Sequence, residues 1–184
     1  MFKSILSFGR QSNRQVTDAL YEAIVAAARQ PHFYSAWDVP DTPLGRYEML
    51  SLHMFLFLER ARGRQGPLAE LAQELTDEFF KDMDHSLREL GIGDLGVPKR
   101  MKKLAKMFYG RAEAYRAALT AGDPAALSAA LSRNVQPRQQ GWPHAAALAA
   151  YAAQASAALA AQADEALLAG RIAFPAAEDT QVTP

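Results

Sequence analysis

Three stretches of this chain carry residue types at spacings that could do chemistry. Gly91-Ile92-Gly93-Asp94-Leu95-Gly96 matches GxGxxG, the glycine loop that lets a backbone approach a dinucleotide pyrophosphate. That fingerprint needs a strand before it and a βαβ unit around it, whereas a helical pattern precedes it here. The stretch therefore reads as a turn between two helices, with Asp94 bonding to the backbone. An anion held at the start of the next helix, beside Lys99 and Arg100, is the functional alternative. Asp82-Met83-Asp84-His85 places an acid and a histidine three residues apart, a spacing at which one helix can offer two metal ligands. The other histidines, His32, His53 and His144, have no acid at that spacing, so a helix surface with Asp84 supporting Arg88 is the simpler reading. No serine is marked as an activated nucleophile, and the chain has no cysteine to serve as one. The chain thus reads as a binding protein and not an enzyme, with no cofactor and no small-molecule substrate.

The third stretch is GVPKRMKKLAK, residues 96–106. Lys99, Arg100, Lys102, Lys103 and Lys106 occur there with no acid among them, while Met101, Leu104 and Ala105 face inward. Such a run is either a solvated helix face or a surface for anionic membrane, ribosomal RNA or an acidic partner segment. A helix-turn-helix DNA reader does not fit, because the turn ahead of it is longer than that motif uses. The basic residues, with Asp94 beside them, are the candidate partner-binding surface. Bulk charge adds no preference: twenty basic and twenty acidic side chains cancel.

These residues are positioned by helices that proline and glycine delimit. A first helix follows Ser12 or Thr17, carries Val16, Leu20, Ile24 and Ala28 at four-residue spacing, and ends before Pro31. A second opens with Thr42 as cap and Pro43 at its first position and runs to about Arg62, apolar on nearly every side as a central helix would be. A third runs from Pro67 to Gly91 with Leu68, Leu71, Leu75, Phe79, Met83 and Leu90 on its stripe, a fourth from Pro98 to Gly122. Asp123-Pro124 opens a short fifth, Pro137 to Pro143 is a linker, and His144 to Ala169 is an alanine-rich sixth. That last helix buries little area per residue and is expected to dock loosely or to present a partner surface. No segment alternates as a strand does, so the fold class is all-α, a single antiparallel bundle of about six helices. The expected divisions are a flexible segment at 1–15, the domain at 16–170 and a disordered tail at 171–184.

Helical phase adds a packing expectation. Arg46, His53 and Arg60 fall on one line of the second helix, and Glu78, Asp82, His85 and Glu89 on one edge of the third. The short Gly63–Gly66 connection makes these helices antiparallel neighbours and brings position 46 level with 83. Arg46 is then expected to pair with Asp82, and His53 to approach Asp77 or Glu78, because a carboxylate at the core margin needs a partner.

No apolar run reaches the roughly 18–20 residues of a membrane span. MFKSILSFGRQSNR is basic and serine-rich with no acid before Asp18, which suits a frayed terminus, a mitochondrial presequence, or Phe2, Ile5, Leu6 and Phe8 resting on a membrane. It does not suit a secretory signal.

VPDT at 39–42, GR at 45–46, LH at 52–53, FF-DMD at 79–84, LRE-G-GD at 87–94, FYGR at 108–111 and Arg133-Asn134 together resemble the ubiquinol–cytochrome c chaperone family. The resemblance implies an all-α assembly factor of respiratory complex III that binds newly made cytochrome b until haem and later subunits are acquired. It also implies a bacterial-type member, since the chain shows neither a long presequence nor a hydrophobic anchor. Such a member is cytoplasmic and peripheral at the inner membrane; a eukaryotic one is mitochondrial. Membrane surface and ribosome are the further partners it suggests, and DNA is not. The alternatives left standing are a helical module for membrane surfaces or anionic partners, and a helical metal-binding protein.

Overall fold

The computed structural model describes residues 2–180, with side chains from residue 13 onward. Among these residues there is no strand. Six helices of twelve or more residues correspond to the six expected: α1 (Phe2–Ala28), α3 (Pro43–Ala61), α4 (Pro67–Glu89), α5 (Val97–Ala121), α6 (Pro124–Val135) and α7 (Ala145–Ala160). Two helices of five residues, α2 (Pro31–Ser35) and α8 (Asp164–Leu168), and a 3-10 turn at Ala177–Asp179 complete the elements among the described residues. The expected flexible segment at 1–15 falls mainly on side chains outside the described residues, as do the presequence and membrane readings of Phe2, Ile5, Leu6 and Phe8.

Helix α3 is the axis of the bundle. Thr42 caps it, its hydroxyl accepting from the Gly45 N–H at 3.2 Å, and every residue from Tyr47 to Phe57 is buried. Helices α1, α4, α5, α6 and α7 all pack against it. Its apolar circumference follows from that position, since a helix surrounded on all sides has no face to leave polar.

The alanine-rich helix corrects an expectation. Rather than docking loosely, α7 lies in the core against α3 and α6, with Leu148, Tyr151, Ala155 and Leu159 fully buried. Alanine buries little area per residue, but a small side chain lets two backbones approach closely, and the contact is then made by the helices themselves. The expected tail is also corrected. Residues 171–180 lie along the bundle: the Gln30 side chain accepts from Ala177 N–H at 2.7 Å and donates to Pro175 O at 3.1 Å. Phe174 packs on the His53 ring at 5.2 Å between centroids, and Gln162 bonds both backbone groups of Ala173.

Candidate functional site: an apolar groove beside a basic helix face

The ends of four helices meet around one concavity of about 740 Å³. Helix α1 contributes Val25 and Ala28; the start of α3 contributes Pro43, Leu44, Tyr47 and Leu50. Met83, Leu87 and Leu90 come from the end of α4, Ile92 from the following turn, and Leu104 from α5. The floor is apolar, and two of its leucines are uncovered: Leu44 is 50% and Leu90 59% exposed. Leu90 was expected on the inward stripe of its helix; here it lies just past the last helical residue, where the turn lifts it out of phase.

The local sequence explains why the groove stays open. Pro43 starts α3 and Gly45 lies against Pro40, where a Cβ would stand 1.9 Å from the carbonyl oxygen. The loop before α3 can therefore sit tight on the helix and leave Leu44 facing out. At the other wall, Gly91 takes φ +78° and ends α4, with Ile92 N–H bonding back to Leu87 O at 3.2 Å. The GxGxxG stretch is thus a helix-to-helix turn, as expected. Asp94 does not bond the backbone as foreseen; it pairs with the Arg88 guanidinium, which also holds Asp84 at 2.6 Å. The longer reach of an arginine across the turn wins over a local backbone contact.

Charges line the rim. The expected Arg46–Asp82 pair does not form: Arg46 binds Asp41 at 2.6 Å, and Asp82 accepts from the Tyr21 hydroxyl at 2.8 Å. The physical reason is an unforeseen neighbour. Helix α1 packs along the acidic edge of α4, where Thr17 also donates to Glu74 at 2.6 Å, so that edge is satisfied before α3 can reach it. Within the Arg46–Asp41 pair the guanidinium holds the carboxyl below its ordinary range. Glu89 lies 3.2 Å from His85. All three rim carboxylates are therefore engaged, whereas Arg29 and Arg100 enter no ion pair among the described residues. His85 and Asp82, the spacing that suggested a metal, are taken by different partners.

The line of Arg46, His53 and Arg60 likewise turns away from α4 and, below Arg46, faces α7. His53 is fully buried and bonds neither Asp77 nor Glu78; its Nδ1–H donates to Met49 O and its Nε2 accepts from the Tyr151 hydroxyl, both at 2.8 Å. Burial holds its pKa down at about 4, so the ring is neutral. The Arg60 side chain, 4% exposed, donates to the carbonyls of Leu159, in the last turn of α7, and of Gln162, just past it, and to Asp164. These are contacts that hold the fold. A further buried pair, Glu48 and Arg111 at 2.6 Å, joins α3 to α5; burial raises the Glu48 carboxyl to about 7 despite the guanidinium. Nothing in the spacing of single residues had marked it, although Glu48 lies between the GR and LH pairs and Arg111 is the last residue of FYGR.

The basic residues of α5 stand where the periodicity placed them. Lys99, Arg100, Lys102, Lys103 and Lys106 are all exposed, and none enters an ion pair among the described residues. At 100° per residue Lys99, Lys102, Lys103 and Lys106 share one face, while Arg100 turns aside onto the groove. The groove and the basic face are thus adjoining surfaces of one end of the molecule. Sequence reasoning singled out the second and missed the first, because a groove is made by helix ends from four places in the chain.

Comparison with known proteins agrees with this architecture. A crystal structure of the Cbp3 homolog from Brucella abortus is 56% identical, covers 98% of this chain and 100% of its own, and superposes with a TM-score of 0.91. No curated protein matches. The family model described as Ubiquinol-cytochrome C chaperone matches residues 35–174, a span that holds most of the groove and all of the basic face. The chain therefore belongs to the ubiquinol–cytochrome c chaperone family.

Proposed function

We propose that this protein is an assembly chaperone of respiratory complex III that binds newly made cytochrome b, acting by holding its client and without chemistry of its own. Family membership supports the assembly role. The observation that carries the client reading is the groove: an apolar floor with exposed leucines on two walls, of the size that binding clefts have. Its unengaged charges are both guanidinium groups, so it suits an apolar segment bearing a carboxylate near its end. Segments of an unassembled membrane protein have the required apolar surface before their neighbours cover it. The setting is peripheral, at the inner membrane where cytochrome b is inserted. Lys99, Arg100, Lys102, Lys103, Lys106 and Asp94 remain the proposed partner-binding surface, with Arg100 serving the groove.

The test is a pull-down from cells making cytochrome b, comparing wild type with a Leu44→Asp, Leu90→Asp variant. Both leucines are half or more exposed, so the variant should fold, which circular dichroism checks. Each lost contact should weaken capture about tenfold, the effect of withdrawing a leucine side chain from an apolar contact. Equal recovery by the two proteins would remove the groove from the function, and no recovery by either would remove cytochrome b.

A further inference from the structure

We infer that the turn joining α4 to α5 is a bilayer-inserting tip, docking this end of the protein on an anionic lipid surface. Leu95, at the apex, is 100% exposed, and Leu90 at the base of the same turn is 59% exposed. The turn stands clear of the rest of the fold: a Cβ added to Gly91 or Gly93 would meet nothing within 4 Å. A single exposed leucine is ordinary on a protein surface. Two on one protruding turn, next to a lysine face, make the arrangement of an interfacial anchor, where leucine enters the acyl boundary and lysines meet headgroups.

Charge supports a lipid partner. Between residues 84 and 106 six basic residues accompany three acidic ones. Asp84 and Asp94 are held by Arg88, and Glu89 by His85, while Lys99, Lys102, Lys103 and Lys106 enter no ion pair among the described residues. Tyr109 falls next to Lys102 and Lys106 around α5 and is 56% exposed, an amphipathic ring of the kind that favours the headgroup layer. RNA would use the lysines but gains nothing from a leucine at the apex, so the leucines decide between the two. Leu90, Ile92 and Arg100 also line the groove. Docking by the tip therefore places the groove mouth at the bilayer surface, where an apolar client segment would pass between them; that consequence rests on the chaperone reading, and the docking itself does not.

The experiment is flotation of the purified full chain with vesicles of phosphatidylcholine alone or mixed with phosphatidylglycerol, and no cytochrome b. Wild type should float with the mixed vesicles only, and raised salt should weaken the association. Leu95→Ser, at a position touching nothing, should weaken it about tenfold. Glutamate at Lys99, Lys102, Lys103 and Lys106 together should weaken it more than about a hundredfold. Wild type that fails to float, or floats equally on neutral vesicles, overturns the inference. So does either variant that floats like wild type; loss on charge reversal with Leu95→Ser unaffected would leave a purely electrostatic contact with the lipid surface and no inserting tip. Client capture is read separately in detergent without vesicles, so the failure of either reading leaves the other measurable.

Discussion

Glu48 and His53 lie five residues apart on α3, both buried, and their burial acts on stability in opposite senses. The folded state raises Glu48 from 4.5 to about 7. Its contribution is fully present below pH 4.5 and is lost as pH rises toward 7, because the fold must then bury a carboxylate. The folded state lowers His53 from 6.5 to about 4. Its contribution is present above pH 6.5 and is lost as pH falls toward 4, because the unfolded chain then binds the proton the core excludes. Each spans about 3 kcal/mol over nearly the same window, so wild-type stability should be almost flat there. Glu48→Gln should uncover the histidine: urea midpoints should rise from pH 4 to 6.5. A flat profile in that variant would show that His53 is not held neutral. Arg111→Ala should cost about 3 kcal/mol at pH 8, where Glu48 is left as an unpaired buried charge, and less at pH 5, where it keeps its proton. Equal losses at the two pH values would place Glu48 in water.

At the level of elements, two glycines make a contrast that tests how the groove is built. Gly45 is pressed against Pro40 within α3, and its Cβ would meet backbone, which cannot rotate away. Gly45→Ala should cost about 3 kcal/mol and push α3 from the loop that shapes the groove wall. Gly110, in the FYGR stretch of α5, has ordinary helical φ and nothing within 4 Å. Gly110→Ala should instead stabilise by up to about 1 kcal/mol, through helix propensity alone. Thermal melts of the two variants check both signs. A stabilised Gly110→Ala protein that no longer recovers cytochrome b would place this bare stretch of helix against the client.

For the molecule as a whole, the C-terminal segment is the piece whose removal is most informative. Residues 171–180 bury Ala177, cover His53 with Phe174 and make four side chain–backbone hydrogen bonds through Gln30 and Gln162. Deleting residues 171–184 should cost on the order of 3 kcal/mol. It should also let water reach the His53 ring, raising its pKa from about 4 toward 6.5. An NMR titration of His53 reads this directly, and an unchanged value would mean that the segment does not seal the core.

What the residues determined unaided was local. Pro43, Pro67 and Pro124 start helices, and Pro98 stands second in its own, because proline lacks the N–H that the first turn leaves idle; Gly91 and Gly122 end them because only glycine takes the left-handed backbone at no steric cost. The central place of α3 was legible too, since a helix apolar all round has nowhere else to go. Partnership was not. Arg46 and Asp82 share a level on consecutive helices, yet α1, sixty residues away in sequence, reaches Asp82 first. The alanine helix and the C-terminal segment were misjudged because composition measures apolar area and not fit; close approach of backbones and a glutamine matched to Ala173 exist only once the surfaces meet. The groove is the extreme case. Leu44, Leu90 and Val25 are unremarkable on their own helices and become a site only where tertiary packing leaves helix ends unable to fill the space between them.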